Sequence, residues 1–299
     1  LVGSLSEVSH LTDLTSLDIA GNNLSGDLSP LRNLTSMTRL DMSFNILSGD
    51  LSPLRDLTSM TDLYISGNNL SGSVAPLLGL TGLRSLYAAD NNLSILEAPP
   101  GGFTGMEQLY LLDLSGNDLS GDLAALAPLT SLRFLELRHG GQGRGGLVGN
   151  LSFVQEMRGL RRLSIDDQQL SGGLGPLQNL SDLEYFSAGH NDLSGDLSSV
   201  PGSLQDLWLD GNKISGLGSG FNSSGVQILS LRSNRVKADD VVDVVKDLPL
   251  SVLYLDMSEN EELRGDIGDL VSNVSSKTSI MDLFVKETNL TGRTEPSDV

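Results

Sequence analysis

The sequence predicts a solenoid, a right-handed curved coil of the α/β type with a concave parallel sheet of about 12 short strands. Three observations predict it. Segments 28–50 and 51–73 are near-copies at a period of 23 residues. An L-x-x-L-x-L-x-x pattern recurs along the chain, and an Asn usually follows it. One such unit cannot bury its own leucines, so the units must stack to form a core.

The Asn position can be followed through twelve units in one frame. These positions are Asn22, Asn45, Asn68, Asn91, Asn117, Gly140, Gln168, Asn191, Asn212, Asn234, Asn260 and Thr288. A buried Asn can both donate to and accept from backbone groups of neighbouring coils that have no other partner. We therefore expect a single domain over residues 1–299, truncated at both ends, with a flexible Gly-rich insertion at 138–149.

Each unit predicts the same order of elements. The L-x-L alternation is a short strand whose leucines face inward. Recurring Ser-Gly and Gly-Asn pairs then turn the chain. The convex side is expected to be mostly irregular or short-helical. A short helix is predicted from the acidic pair Asp239-Asp240 to Lys246, and another over 265–275. The polar residues 293–299 are expected to fray.

The recurring N-x-L-S-G-x-L, as in residues 22–28, resembles the plant-type leucine-rich repeats of receptor ectodomains, and similar repeats occur in protist surface antigens. The resemblance covers essentially the whole chain and implies a leucine-rich-repeat solenoid. Two features differ. The Pro comes later than in the plant-type unit, as in Leu28-Ser29-Pro30, and Cys-rich end caps are absent.

Composition excludes several classes of function. With 38 acidic and 19 basic residues the formal net charge is −19, which argues against nucleic-acid or anionic-membrane partners. No Cys is present, so there is no thiol nucleophile and no Cys-ligated zinc. An apolar run long enough to insert into a membrane is also missing. No nucleophile–base arrangement stands out. We therefore expect no enzymatic activity, no cofactor and no metal.

Aromatic residues concentrate on the outward strand positions. The predicted ligand anchors on the concave face are Tyr64, Tyr87, Phe134, Tyr185, Trp208 and Tyr254. Tyr and Trp give a large contact area at a low entropy cost, which suits an exposed binding stripe. The alternative is that aromatic residues simply favour strands.

Charged residues cluster on the same face. Arg133, Arg138 and Arg162 are predicted to orient an anionic group through forked hydrogen bonds. The alternative is that they neutralise nearby acidic residues. Two pairs of acidic side chains, Asp18 with Asp41 and Asp113 with Glu136, should stand on adjacent strands. A solvated acidic face is favoured over a calcium site for them.

Nine N-x-S/T sequons are candidate glycosylation sites: Asn23, Asn33, Asn69, Asn92, Asn150, Asn179, Asn222, Asn273 and Asn289. The repeat motif itself creates some of them, but five lie outside that slot. They favour an extracellular or cell-surface location, reached through the secretory pathway.

Two functions of different classes fit the sequence. The leading hypothesis is a non-catalytic recognition module that binds a protein, peptide or glycan on its concave face. The alternative is a structural component of an extracellular assembly, in which the repeats act as a spacer and self-association is possible. An intracellular scaffold, which would carry no glycans, is a third reading.

Overall fold

The computed structural model describes residues 1–96, 101–141, 143–221, 224–238, 241–277 and 280–292. The chain divides into two compact units, residues 1–170 (unit 1) and residues 171–299 (unit 2). Each unit is a stack of coils, and each coil contributes one three-residue strand to a parallel sheet. We call these strands the repeat strands.

The repeat strands fall where the L-x-L pattern predicts them. Those described in unit 1 are Ser16–Asp18, Arg39–Asp41, Asp62–Tyr64, Ser85–Tyr87, Leu111–Asp113, Phe134–Glu136 and Arg162–Ser164. Those described in unit 2 are Tyr185–Ser187, Asp206–Trp208, Ile228–Ser230, Tyr254–Asp256 and Asp282–Phe284. Neighbouring strands within a unit pair in parallel with no register shift, as in Leu40↔Leu63 and Leu63↔Leu86.

The core of each unit is a ladder of buried aliphatic side chains. The middle residue of a repeat strand points inward, and Leu40, Leu63 and Leu207 are all 0% exposed. Full burial of one such leucine contributes about 1.5–3 kcal/mol. The first and third residues of each strand therefore point outward, and the candidate site lies on the surface that their side chains form.

A buried asparagine ladder joins successive coils. Asn68 is 6% exposed, and its Oδ1 accepts the backbone N–H of Leu47 at 3.0 Å. Its Nδ2 donates to the carbonyl oxygens of Met42 at 3.0 Å and Ile65 at 3.2 Å. In unit 2, Asn212 makes the same kinds of bond with Leu193 and Ala188. The ladder satisfies buried backbone groups that the short strands leave without partners.

The sixth coil lacks its Asn because its backbone runs too close to the coil before it. A Cβ atom at Gly140 would lie 2.4 Å from the carbonyl carbon and 2.5 Å from the carbonyl oxygen of Gly116. In the next coil Gln168 takes the ladder position with a longer side chain. It accepts the N–H of Leu147 at 3.2 Å and donates to the carbonyl of Leu137 at 2.9 Å.

Within each unit the N-x-L-S-G segments form a second parallel sheet, a feature that the repeat pattern did not predict. Its described strands are Val2–Ser4, Asn23–Gly26, Ile46–Gly49, Asn69–Ser73, Asn92–Ile95, Ser120–Asp122 and Gly146–Gly149 in unit 1, Gln169–Gly173 at the unit boundary, and Asp192–Asp196 and Lys213–Gly216 in unit 2. Serine hydroxyls reinforce the stacking, since Ser120 Oγ donates to the carbonyl of Ser94 at 2.9 Å. The Gly-rich segment predicted over 138–149 thus ends in one of these strands.

Short helices occupy the remaining side of the coils. The described 3-10 helices are Leu5–Val8, Ser29–Leu31, Ser52–Leu54, Ala75–Gly79, Leu123–Leu126, Leu151–Val154 and Gly175–Asn179. The late prolines Pro30 and Pro53 lie in the first turn of two of them, where a missing N–H costs nothing. Among the described residues the α-helices are Val241–Lys246 and Ile267–Lys277, and the strand Arg264–Asp266 pairs with the strand Asn289–Thr291. The predicted helix start at residues 239–240 and the predicted fraying of residues 293–299 fall on residues outside those that the structure describes.

Candidate ligand-binding face

The outward side chains of the repeat strands form one surface in each unit, which we call the strand face. It has three rows: the first strand residue, the third strand residue, and the residue two places further on. In unit 2 the rows are Tyr185, Asp206, Ile228, Tyr254 and Asp282; Ser187, Trp208, Ser230, Asp256 and Phe284; and Gly189, Asp210, Arg232, Ser258 and Lys286. All six predicted aromatic anchors belong to the strand face of one unit or the other.

In unit 1, Tyr64 and Tyr87 stack on each other, and the side chain of Arg39 lies over the ring of Tyr64. The rings of Tyr64 and Tyr87 stack with centroids 5.2 Å apart and planes inclined by 14°. The Arg39 guanidinium lies 4.4 Å from the centroid of Tyr64, and its Nη2 is 3.9 Å from Oδ2 of Asp41. Arg39 is a residue that the sequence analysis did not select, because its role depends on the neighbouring coil.

The aromatic residues of unit 2 form a larger cluster. Tyr254 lies between Trp208, at a centroid distance of 5.8 Å, and Phe284, at 5.4 Å. We call these three residues the aromatic trio. Phe284 is 45% exposed, and the other two are half-buried. Burial, with the carboxylates of Asp256, Asp210 and Asp282 adding to it, raises the pKa of Tyr254.

The remaining predicted anchors, Phe134 and Tyr185, lie in the first row. Phe134 is half-buried in the first row of unit 1, with Leu111 and Arg162 beside it in register. Tyr185 is half-buried in the first row of unit 2. Both contribute aromatic surface to the first row.

The three predicted arginines do not converge on one point. Arg162 Nε donates to Glu136 Oε1, which forms an ion pair. Arg138 is exposed in the third row, and the guanidinium of Arg133 lies beside Gly159, off the strand face. The pairing of Arg162 matches the neutralising alternative for that residue. Burial raises the pKa of Glu136, and the Arg162 charge opposes the shift.

Acidic residues in the second row serve the local backbone. Asp41, Asp113 and Asp256 each accept the N–H of the serine two residues later, at 3.1, 3.0 and 2.8 Å. These bonds turn the chain at the end of the strand. Register places Asp18 beside Asp41, and Asp113 beside Glu136, as predicted. Across the described residues, no group of three or more His, Asp or Glu side chains could hold a metal ion.

The eight candidate glycosylation sites that lie among the described residues avoid the strand face. Asn23, Asn69 and Asn92 lie on the second sheet, Asn289 on the strand Asn289–Thr291, and Asn273 on the helix Ile267–Lys277. Asn33, Asn150 and Asn179 lie at or next to the 3-10 helices. All eight are exposed except Asn273, which is half-buried, while Asn222 lies outside the described residues. Glycans at these positions would leave the strand face open.

Similarity to known proteins agrees with this architecture. The Leucine Rich Repeat family model matches residues 13–34, which is the length of one repeat. The structure of the plant peptide hormone receptor RGFR1 in complex with RGF2 superposes with a TM-score of 0.78 over 97% of the chain, at 25% identity. The chain has the leucine-rich-repeat fold.

Two further known proteins are similar to the chain. The leucine-rich-repeat ectodomain of the Arabidopsis receptor kinase HAESA, solved with an IDA peptide hormone, has a TM-score of 0.67 and 25% identity over 97% of the chain. Human lumican is 38% identical over 85 residues, 28% of this chain. This leucine-rich-repeat chain spans about half of each receptor chain and a quarter of lumican. No described helix is long and apolar enough to cross a membrane.

Proposed function

We propose that this leucine-rich-repeat chain is a non-catalytic recognition module of a secreted or cell-surface protein. It binds a peptide, a protein segment or a glycan across the strand face. The observation that carries the proposal is the aromatic trio of unit 2, in which Phe284 is exposed and the other two rings are half-buried, on a face that carries none of the described sequons. Large aromatic side chains that stay exposed on a folded surface are typical of binding hot spots.

The similar structures support a ligand of the peptide class. RGFR1 is a plant peptide hormone receptor solved in complex with RGF2, and the HAESA ectodomain was solved with an IDA peptide hormone. Both match nearly the whole of this chain, which spans about half of each receptor chain, and this supports the same class of ligand here. Trp208, Tyr254 and Tyr185 in unit 2, and Tyr64, Tyr87 and Phe134 in unit 1, are the proposed contact residues. Arg138 is the proposed contact for an anionic group, and Arg133 and Arg162 are secondary candidates.

The distribution of sequons supports the secretory location. Glycans on the second sheet and beside the helices would cover those sides and keep the strand face accessible. The same distribution argues against lateral packing through the second sheet, where three acceptor positions lie.

Replacing Trp208 with alanine is expected to weaken binding of a strand-face ligand at least about tenfold, because a central aromatic anchor contributes about 2 kcal/mol or more. The melting temperature should stay within a few degrees, since Trp208 points outward and is not part of the leucine core. Peptides selected from a random displayed library on the whole chain supply the probes, and calorimetry gives their affinities.

The matched control is Ile46→Ala, since Ile46 is an apolar residue of the second sheet that is 46% exposed. It should leave affinity unchanged. If Ile46→Ala weakens the selected peptides as much as Trp208→Ala does, the binding surface is not the strand face.

A further inference from the structure

The strand face of unit 2 combines aromatic rings with an excess of carboxylates. Four aspartates lie in its rows, Asp206, Asp210, Asp256 and Asp282, against two basic residues, Arg232 and Lys286. Both basic residues are turned toward glutamates that lie outside the rows. Arg232 Nε is 2.9 Å from Glu259 Oε1, and Lys286 Nζ is 3.1 Å from Glu287 Oε1.

Unit 1 shows how such a surface holds a cation. There the Arg39 guanidinium covers the face of Tyr64 and approaches the Asp41 carboxylate, so ring and carboxylate act on one charge. A guanidinium over an aromatic face is attracted by the negative charge on that face of the ring. Among the described residues of unit 2, no basic side chain lies over a ring of the aromatic trio.

The carboxylates lie close enough to act on the aromatic trio. Register sets Asp282 beside Tyr254, and Asp256 beside Phe284. Burial raises the pKa of Tyr254, the charges of Asp256, Asp210 and Asp282 add to the shift, and the charge of Arg232 opposes it. Burial of Asp210 raises its pKa, with Asp256 adding to the shift and hydrogen bonds from Ser230 and the Arg232 N–H opposing it. A cation placed there would relieve this concentration of negative charge.

We propose that the strand face of unit 2 recognises a basic polypeptide segment, with an arginine or lysine of the ligand lying against Tyr254 and the aromatic trio and facing the carboxylates of Asp256 and Asp282. The ligand's cation takes the part that Arg39 plays on Tyr64 in unit 1. This inference rests on the proposed function and specifies the ligand's chemistry.

The test uses the whole chain and the same displayed random peptides, keeping those that Trp208→Ala weakens at least about tenfold. These peptides are expected to be enriched in arginine and lysine relative to the library. Replacing the key arginine of a selected peptide with citrulline, its neutral isostere, should lower affinity about tenfold. Tyr254→Leu should lower affinity for the arginine peptide about two- to fivefold and leave the citrulline peptide unaffected.

Asp256→Asn and Asp113→Asn form a matched pair of charge variants. Each removes one charge from a second-row aspartate that accepts a serine N–H, one in unit 2 and one in unit 1. Asp256→Asn should lower affinity for the arginine peptide about two- to fivefold, and Asp113→Asn should have no effect. If the two substitutions lowered affinity equally, the peptide would be attracted by the overall negative charge of the protein, and the proposed cation site in unit 2 would be wrong.

The outcomes separate this inference from the proposed function. Trp208-dependent peptides without basic enrichment, or citrulline peptides that bind as tightly as arginine peptides, would overturn the inference and leave the proposed function standing. If no selected peptide depends on Trp208, both are wrong.

Discussion

Replacing Asn68 with alanine is expected to lower the free energy of unfolding by about 3 kcal/mol, because a buried donor or acceptor left without a partner costs about 1–3 kcal/mol. Asn68 joins two coils through Leu47, Met42 and Ile65. The substitution leaves the Leu47 N–H buried without its acceptor and leaves a cavity where the amide was. Urea unfolding followed by circular dichroism measures the change.

The adjacent residue supplies the control. Asn69 is exposed on the second sheet, so Asn69→Ala should change stability by less than about 0.5 kcal/mol. Because Asn69 is also the acceptor residue of a sequon, both variants should be compared in protein made without N-glycans. Equal losses for Asn68→Ala and Asn69→Ala would show that the buried ladder does not hold the coils together.

Replacing Gly140 with asparagine, which restores the repeat pattern, is expected to destabilise the protein by about 2 kcal/mol, since forcing atoms into a filled space costs about 1–3 kcal/mol. Its Cβ would meet the backbone of Gly116, which cannot move aside as a flexible side chain could. From the repeat pattern alone, the same substitution would be expected to stabilise the protein, because it supplies the missing Asn. Thermal and urea unfolding distinguish the two expectations.

Gly202→Asn is the control for this variant, because a Cβ at Gly202 meets nothing within 4 Å. It should stay within about 0.5 kcal/mol of the unchanged protein. A Gly140→Asn variant as stable as the parent, or more stable, would contradict the close approach of the two coils.

The repeat strands could be predicted because they depend on local rules. A period of two within L-x-L places one leucine inward, and burial of Leu40 and Leu63 fixes the register of neighbouring strands. The Asn position follows from the need to satisfy buried backbone groups, and Gln168 shows that another amide can do so. These requirements repeat in every coil, so the sequence pattern displays them.

The second sheet and the pairings on the strand face depend on contacts between coils, which the pattern does not display. The Ser hydroxyls that reinforce the second sheet bond to the preceding coil, as Ser215 Oγ does to the Gly195 carbonyl at 3.1 Å. Whether an arginine meets a ring, as Arg39 does, or a carboxylate, as Arg162 does, depends on side-chain rotamers set by neighbouring coils. Aromatic residues on the strand face could be predicted, but their grouping could not.

The most direct test of the proposed binding face uses the fluorescence of Trp208, the single tryptophan of the chain. It lies in the aromatic trio, so a ligand that covers the strand face of unit 2 must change its surroundings. Titration with a selected peptide that lacks tryptophan should shift the emission and saturate at the Kd that calorimetry gives. Binding by calorimetry with unchanged Trp208 emission would contradict recognition at this face.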